Sequence, residues 1–314
     1  MGNDRATPVI LVTGSDGQVG FELMRSLAHF GQVTGYDRVQ LDLARPGDVR
    51  AAVRSLRPKV IVNAGAYTAV DRAESEPELA HATNAEAPRI LAEEAEALGA
   101  LLVHYSTDYV FDGLKEGPYV ETDEPNPLSV YGRTKLEGDR YVAAATRKHI
   151  IFRTAWAFGV HGSNFPKSII RAARERSQLS VVDDQLGAPT SASLLADITA
   201  LVVSRYLRGE IAPKAYGLYN LTASGETTRF DYAYHVLHAV LRAGLSLDAR
   251  PENIKRVNTD QYPSAAPRPR NSRLDTTKLQ QSFGLHLPTW EQGIDHMLAQ
   301  MVDVLQIAER DAAA

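Results

Sequence analysis

The first half of the chain alternates short, wholly apolar runs with longer stretches in which apolar residues recur at helical spacing. Val9-Ile10-Leu11-Val12 lies between Pro8 and a cluster of glycines, the pattern of a strand buried on both faces. Gly20 to Phe30 then sets Phe21, Met24, Leu27 and Ala28 on one helical face. The rhythm continues with a strand at Gln32 to Tyr36, a helix at Pro46 to Leu56 and a strand at Val60-Ile61-Val62. A long alanine- and glutamate-rich helix follows from Pro77 to Leu98, with further strands at Leu101 to Tyr105 and His149 to Phe152. Neighbouring parallel strands need crossover helices, so this order predicts an α/β fold with a doubly wound, parallel sheet of the Rossmann type.

The second half is less regular, broken often by proline, glycine and asparagine. Helices are expected at Leu194 to Leu207, Arg229 to Leu241 and Thr289 to Leu305, and an irregular loop at Pro263 to Arg270, which holds three prolines and two arginines. Residues 1–155 are therefore expected to form a dinucleotide-binding domain and residues 156–314 mainly a smaller C-terminal substrate-binding lobe, with some later segments returning to the first domain.

Within that frame, Gly14, Gly17 and Gly20 fall directly after the first strand and open the first helix. Glycines there allow a tight turn, close approach of backbone N–H groups to a pyrophosphate, and tight helix–sheet packing. The helix N-terminus then faces phosphate charge. Asp37, at the end of the second strand, suits the ribose hydroxyls of an adenosine, while Arg38 beside it suits a 2′-phosphate. The pair leaves NADH and NADPH both open.

Tyr131 and Lys135 stand four residues apart, on one face if the segment is helical. A phenol titrates near 10 and needs help to act near neutrality; an ammonium close by favours the phenolate. So assisted, Tyr131 can pass a proton to a carbonyl oxygen as hydride reaches its carbon. In a chain with 13 tyrosines the pair alone carries little weight. Its address carries more: it follows Ser106-Thr107-Asp108 at the end of the fourth strand, where open α/β sheets bind ligands. Ser106 or Thr107 would hydrogen-bond the substrate carbonyl, or else only cap the strand end. Asn84, a poor helix former inside the long helix, fits either a proton relay or an exposed position. Trp156, just after the fifth strand, fits a substrate wall or a core aromatic. Arg268, Arg270 and Arg273 fit a nucleotide diphosphate or a solvated loop.

Composition narrows the field. The formal charge of −4 argues against non-specific nucleic-acid binding, and 44% hydrophobic with 23% charged residues is ordinary for a globular chain. No cysteine is present, which excludes disulfides, thiolate metal sites and cysteine nucleophiles. The first eight residues lack the apolar core of a signal peptide and no run approaches a membrane span, so a cytoplasmic protein is expected. His235 and His238 share a helical face but lack a third ligand.

Thr13–Gly20, Asn63–Asp71, Tyr105–Gly113 and the Tyr131/Lys135 pair together resemble the extended short-chain dehydrogenases/reductases. Continued through Arg153–Trp156, Asp184–Thr190 and Arg268–Leu274, the likeness narrows to the dTDP-4-dehydrorhamnose reductases of that family. The resemblance implies reduction of the 4-keto group of dTDP-4-dehydro-L-rhamnose by NADPH or NADH, interconverting a ketone and a CH–OH group as the last step of dTDP-L-rhamnose synthesis. It implies Tyr131 as proton donor, Lys135 on the nicotinamide ribose and Thr107 on the keto oxygen. It places Thr107, Asp108, Trp156 and Arg268 at the sugar nucleotide, and gives Tyr109 a part in tuning the tyrosine–lysine pair. It puts Gly14, Asp16, Gly17, Gln18, Val19, Gly20, Asp37, Arg38, Asp42, Leu43, Ala64, Ala66, Tyr67 and Thr68 along the cofactor. It further implies a homodimer with magnesium held by glutamates at the interface, Glu22 matching one such position. A related dTDP-hexose reductase or epimerase, or a non-catalytic regulatory subunit on the same scaffold, stands as the alternative.

Overall fold

The apolar runs begin where strands begin, and the strands at Val9, Val60, Leu101 and His149 extend one or two residues beyond them. A computed structural model describes residues 7–262 and 264–313. Most of the N-terminal stretch read for a signal peptide, and Pro263 of the expected loop, lie outside the described residues.

Strand β1 (Val9–Thr13) leads into α1 (Gln18–Leu27), β2 (Gln32–Tyr36), α2 (Pro46–Leu56) and β3 (Val60–Asn63). Two short helices follow, α3 (Val70–Ala73) and α4 (Pro77–His81), then α5 (Ala87–Leu98), β4 (Leu101–Thr107), α6 (Val130–Ala145) and β5 (His149–Thr154). The expected single helix from Pro77 to Leu98 is divided: Ala82–Glu86 forms a π-helical turn between α4 and α5. This wider turn presses the Asn84 carbonyl against α6, where a Cβ on Gly138 would lie 2.2 Å from it. Glycine at 138 is what permits the contact.

The second half contributes β6 (Ala157–Phe158), α7 (Phe165–Glu175), β7 (Leu179–Val182), β8 (Leu186–Gly187), β9 (Thr190–Ser191) and α8 (Ala192–Leu207). Then come β10 (Gly217–Asn220), β11 (Thr227–Thr228), α9 (Arg229–Arg242), β12 (Ile254–Val257), α10 (Thr277–Phe283) and α11 (Trp290–Ala313).

Six strands form the central parallel sheet in the order β2-β1-β3-β4-β5-β10. Its wholly apolar strands are explained by two packed faces. Ile10, Val12, Val60, Val62, Val103, Ile150 and Phe152 meet Leu23 and Leu27 of α1 and Leu195, Val202 and Val203 of α8. Leu11, Ile61, Leu102 and Ile151 meet Val49 and Val53 of α2, Ile90 and Leu91 of α5 and Val142 of α6. Each such fully buried side chain contributes about 1.5–3 kcal/mol. The sheet is thus doubly wound, and α8, β10 and α10 from the second half complete it.

The remaining residues build a smaller lobe. Tyr232, Val236, Trp290 and Ile294 pack together between α9 and α11, and Ala173, Leu179, Phe230 and Leu237 form a second apolar cluster. Short pairings, β7 with β12, β8 with β11 and β6 with β9, tie the loops of this lobe together. No helix among the described residues is long and apolar enough to cross a membrane.

Candidate active site

After β1 the chain moves outward to β2 and then crosses back to β3, so the ends of β1 and β3 part and open a crevice. Gly14 turns there with φ +66°, and a Cβ on it would lie 2.7 Å from the Gly65 Cα of the loop after β3. Gly17 caps α1 without a side-chain hydrogen bond, leaving the first N–H groups of the helix free to meet an anion. A groove of about 370 Å³ runs from this turn. It brings together Gly14, Asp16, Gly17, Gln18, Val19, Arg38, Asp42, Leu43, Ala64, Ala66, Tyr67 and Thr68.

Of the expected cofactor residues, Gly20, Asp37, Tyr131 and Lys135 do not line it. Gly20 is buried against the Gly14 carbonyl, where a Cβ would come to 1.9 Å, so it sets the turn rather than the wall. Asp37 turns its carboxylate back to accept the Gln40 backbone N–H at 2.8 Å. Arg38 takes the place on the groove wall. Asn84 is neither exposed nor in the groove: fully buried, it accepts the Tyr67 N–H at 2.8 Å and donates to the Tyr67 carbonyl at 3.1 Å and to the Thr134 hydroxyl at 3.2 Å. It clamps a groove residue to α6.

Beside the groove is a cavity of about 310 Å³, and the two share Thr68 and Ala157. Ser106, Thr107, Asp108, Tyr109, Tyr131 and Trp156 line the cavity. Ser129 caps α6 by accepting the Gly132 N–H, and Gly132 lets the Tyr109 backbone come against the helix, with Cβ room of only 2.2 Å. The Tyr109 and Tyr131 rings meet edge to face at 5.5 Å. Burial raises the Tyr131 phenol above its ordinary value, while a hydrogen bond with Thr107 pulls the other way.

Lys135 is buried on α6. Its ammonium donates to the Tyr105 carbonyl at 2.6 Å and lies 3.4 Å from His104 Nε2, both on the central strand β4. Burial lowers it to about 8, against the pull of Asp139. His104 itself is held well below its usual value by burial and then by Lys135. The Asn63 amide pairs with His104 Nδ1 at 3.0 Å and accepts the Thr13 hydroxyl at 2.6 Å, so a buried polar chain links the glycine turn to the lysine. Burial also pushes Asp108 up to about 6.

Trp156 lines the cavity and adopts φ +48°, a conformation that costs a bulky residue of order 1–3 kcal/mol. Gly187 makes room for its ring, since a Cβ there would lie 2.6 Å from Cε2. Of the three arginines expected at a diphosphate, Arg273 is spent on Glu226, Asn271 and the Glu116 carbonyl. Arg270 is exposed beside Asp184 and Asp260. Arg268 bonds Asp71 at 2.7 Å and approaches the Tyr109 ring at 5.9 Å. The sequence reading passed over Arg229, the first residue of α9, whose guanidinium reaches the cavity and lies 3.7 Å above the Trp156 ring.

A glycine-walled groove thus opens onto a tyrosine-lined cavity. Residues 8–303 match the family model described as the RmlD substrate binding domain. The chain belongs to this family. It is 47% identical over 296 residues to the dTDP-4-dehydrorhamnose reductase of Escherichia coli K12 and 48% identical to that of Salmonella typhimurium LT2, each match covering 93% of this chain and 97% of the relative. Its fold is similar to the solved dTDP-4-dehydrorhamnose reductase of Bacillus anthracis in complex with NADP. That likeness has a TM-score of 0.83 at 31% identity and covers 94% of this chain and 99% of the other.

The RmlD-type chain does not present the magnesium site that the resemblance implied at Glu22. Arg25 donates to Glu22 at 3.0 Å and to Asp197 at 3.1 Å, so a guanidinium already occupies the space between the two carboxylates. The surrounding pocket is otherwise walled by neutral groups such as Ser193, Gln292 and Gln300. No group of three metal-ligating side chains occurs among the described residues. These residues do not fit a divalent cation. His235 instead pairs with Asp295 at 2.9 Å, and the His238 ring lies tilted against Tyr234 with centroids 4.4 Å apart.

Proposed function

We propose that this chain is an NAD(P)H-dependent reductase of the short-chain dehydrogenase type that converts dTDP-4-dehydro-L-rhamnose to dTDP-L-rhamnose, completing dTDP-rhamnose synthesis. One observation carries the reading. The groove at the glycine turn and the Tyr131 cavity meet at Thr68 and Ala157, so a dinucleotide in one and a keto sugar in the other would touch there. The names of relatives nearly half identical over most of the chain support the same substrate.

The bound cofactor supplies a hydride to C4 of the sugar. Thr107 holds the keto oxygen and Tyr131 gives its phenolic proton to that oxygen as the C4–H bond forms, leaving a CH–OH group and oxidised cofactor. Lys135 holds the nicotinamide ribose, and its positive charge favours the phenolate that Tyr131 becomes. Asp108 and Trp156 bound the sugar. The Thr107, Tyr131 and Lys135 set is intact, which speaks against the regulatory-subunit reading. A cytoplasmic homodimer rests on the family likeness, and light scattering tests the assembly.

The decisive assay mixes purified protein, dTDP-4-dehydro-L-rhamnose and NADPH. Stoichiometric NADPH oxidation with dTDP-L-rhamnose as product is expected; cofactor binding without net oxidation would instead indicate an epimerase or a regulatory subunit. Tyr131→Phe should keep cofactor affinity and lose about 100-fold or more in kcat.

A further inference from the structure

The hydroxyl, amide and imidazole behind Lys135 form a hydrogen-bond chain with one direction. Thr13 turns its oxygen toward the Gly65 N–H at 3.4 Å, so its own proton goes to Asn63 Oδ1 at 2.6 Å. The carboxamide is thereby oriented with its nitrogen toward His104, and that N–H donates to Nδ1 at 3.0 Å. A neutral imidazole whose Nδ1 accepts must carry its proton on Nε2, and burial keeps this ring neutral. Nε2 lies 3.4 Å from Lys135 Nζ, while Asp139 Oδ1, at 3.9 Å, is too far to accept from it. An ammonium has no lone pair, so the Nε2–H meets a second donor. A neutral amine would accept it and still donate to the Tyr105 carbonyl at 2.6 Å. Thr13, Asn63, His104 and Lys135 are each 2% exposed or less, so bulk water does not relieve the mismatch.

We propose that His104 is a positioning residue of the reaction: held by Asn63 as the Nε2–H tautomer, it faces Lys135 with a donor and sets how firmly the lysine keeps its proton. The proposal rests on the reductase reading, in which the lysine's charge supports the phenolate that Tyr131 becomes. The other charges near the pair lie on different groups. Asp139 of α6 attracts the ammonium and is itself bonded to Arg153 of β5 at 3.2 Å. Asp139, Asp108 and Tyr109 act on the Tyr131 phenol. All of these stay in place when Asn63 or His104 is replaced, so a change in the lysine's titration reads the imidazole.

The test pairs a pH profile with a direct view of the tautomer. Asn63→Leu removes the donor to Nδ1, so the ring can carry its proton there and offer Nε2 to the ammonium as an acceptor. His104→Gln puts a carbonyl oxygen within the ammonium's reach. Either change stabilises the charged lysine, which then survives to higher pH. The alkaline fall of kcat/KM for dTDP-4-dehydro-L-rhamnose with NADPH should move up by about one pH unit in both variants. A role in packing alone would lower kcat or the melting temperature and leave that fall where it is in the wild type. Proton–nitrogen correlation spectra of the wild type with isotope-labelled histidine should show His104, identified by its loss in His104→Gln, protonated at Nε2 and bare at Nδ1. A proton on Nδ1 overturns the proposal, as does an alkaline fall that stays or moves down in whichever variant folds. Wild type that binds NADPH without turning over the sugar would sink the reductase reading, and the spectra would still decide the tautomer.

Discussion

A graded series of glycine-to-alanine variants tests how the groove is built. At Gly20 a methyl group would sit 1.9 Å from the Gly14 carbonyl oxygen, 2.7 Å from its carbon and 2.8 Å from the Ser15 Cα. All three are backbone atoms, so nothing can swing aside. Restoring ordinary contact requires about 1.5 Å of separation between α1 and the turn. A misplacement near 1 Å at a ligand-positioning element costs on the order of 100-fold, and overpacking costs about 1–3 kcal/mol of stability. Gly20→Ala should therefore weaken NADPH binding about 10- to 100-fold and lower the melting temperature by several degrees. At Gly17 the nearest atom is the same carbonyl at 3.2 Å, and a few-fold loss is expected. Gly47, in the exposed first turn of α2, meets nothing within 4 Å, so alanine there should stabilise by about 0.5–1 kcal/mol. Fluorescence titration with NADPH and thermal denaturation read all three variants. Tight NADPH binding by Gly20→Ala, or equal damage from Gly47→Ala, would refute the reasoning.

Three further outcomes follow from the site. With Lys135 lowered to about 8 in the free enzyme, its ammonium is lost as pH rises past that value, so kcat/KM should fall on the alkaline side with an apparent pKa near 8; a flat profile to pH 10 would contradict this. Asn84→Ala strips the Tyr67 backbone of both partners, costing about 1–3 kcal/mol by denaturant unfolding, with a smaller loss of kcat. Arg38→Ala should raise the KM for NADPH about 10-fold while leaving NADH unchanged, since only the former carries a 2′-phosphate; equal effects would remove Arg38 from that role.

The sheet was readable because parallel strands covered on both faces are largely apolar, and Val9–Val12, Val60–Val62 and Leu101–Val103 are wholly so. Gly217-Leu218-Tyr219-Asn220 carries no such run, and its place beside β5 is a fact of space that no local pattern encodes. The π-helical turn was hidden for a similar reason: its cause, Gly138 on α6, lies some fifty positions away. Spacing put Tyr131 and Lys135 on one helix but could not show that the lysine also donates to the Tyr105 carbonyl. Three arginines near one another in sequence looked like a cluster, yet Asp71, Glu226 and Asp260 draw them to separate partners. Arg229, alone after two threonines, looked like an ordinary helix start. Only the Trp156 ring beneath it reveals otherwise.

Because β10 closes the sheet, the order of synthesis matters to this chain. β5 ends at Thr154, but its outer edge stays bare until Asn220 has left the ribosome, roughly 3–13 s later at common elongation rates. Until Leu207 follows, α8 is also missing from the face that holds Val62, Val103 and Phe152. A nascent chain paused there offers an open strand edge and an uncovered apolar surface, both invitations to aggregate. Cutting the gene after residue 155 would make that transient hazard permanent, and such a fragment is expected in inclusion bodies rather than as a free-standing nucleotide binder.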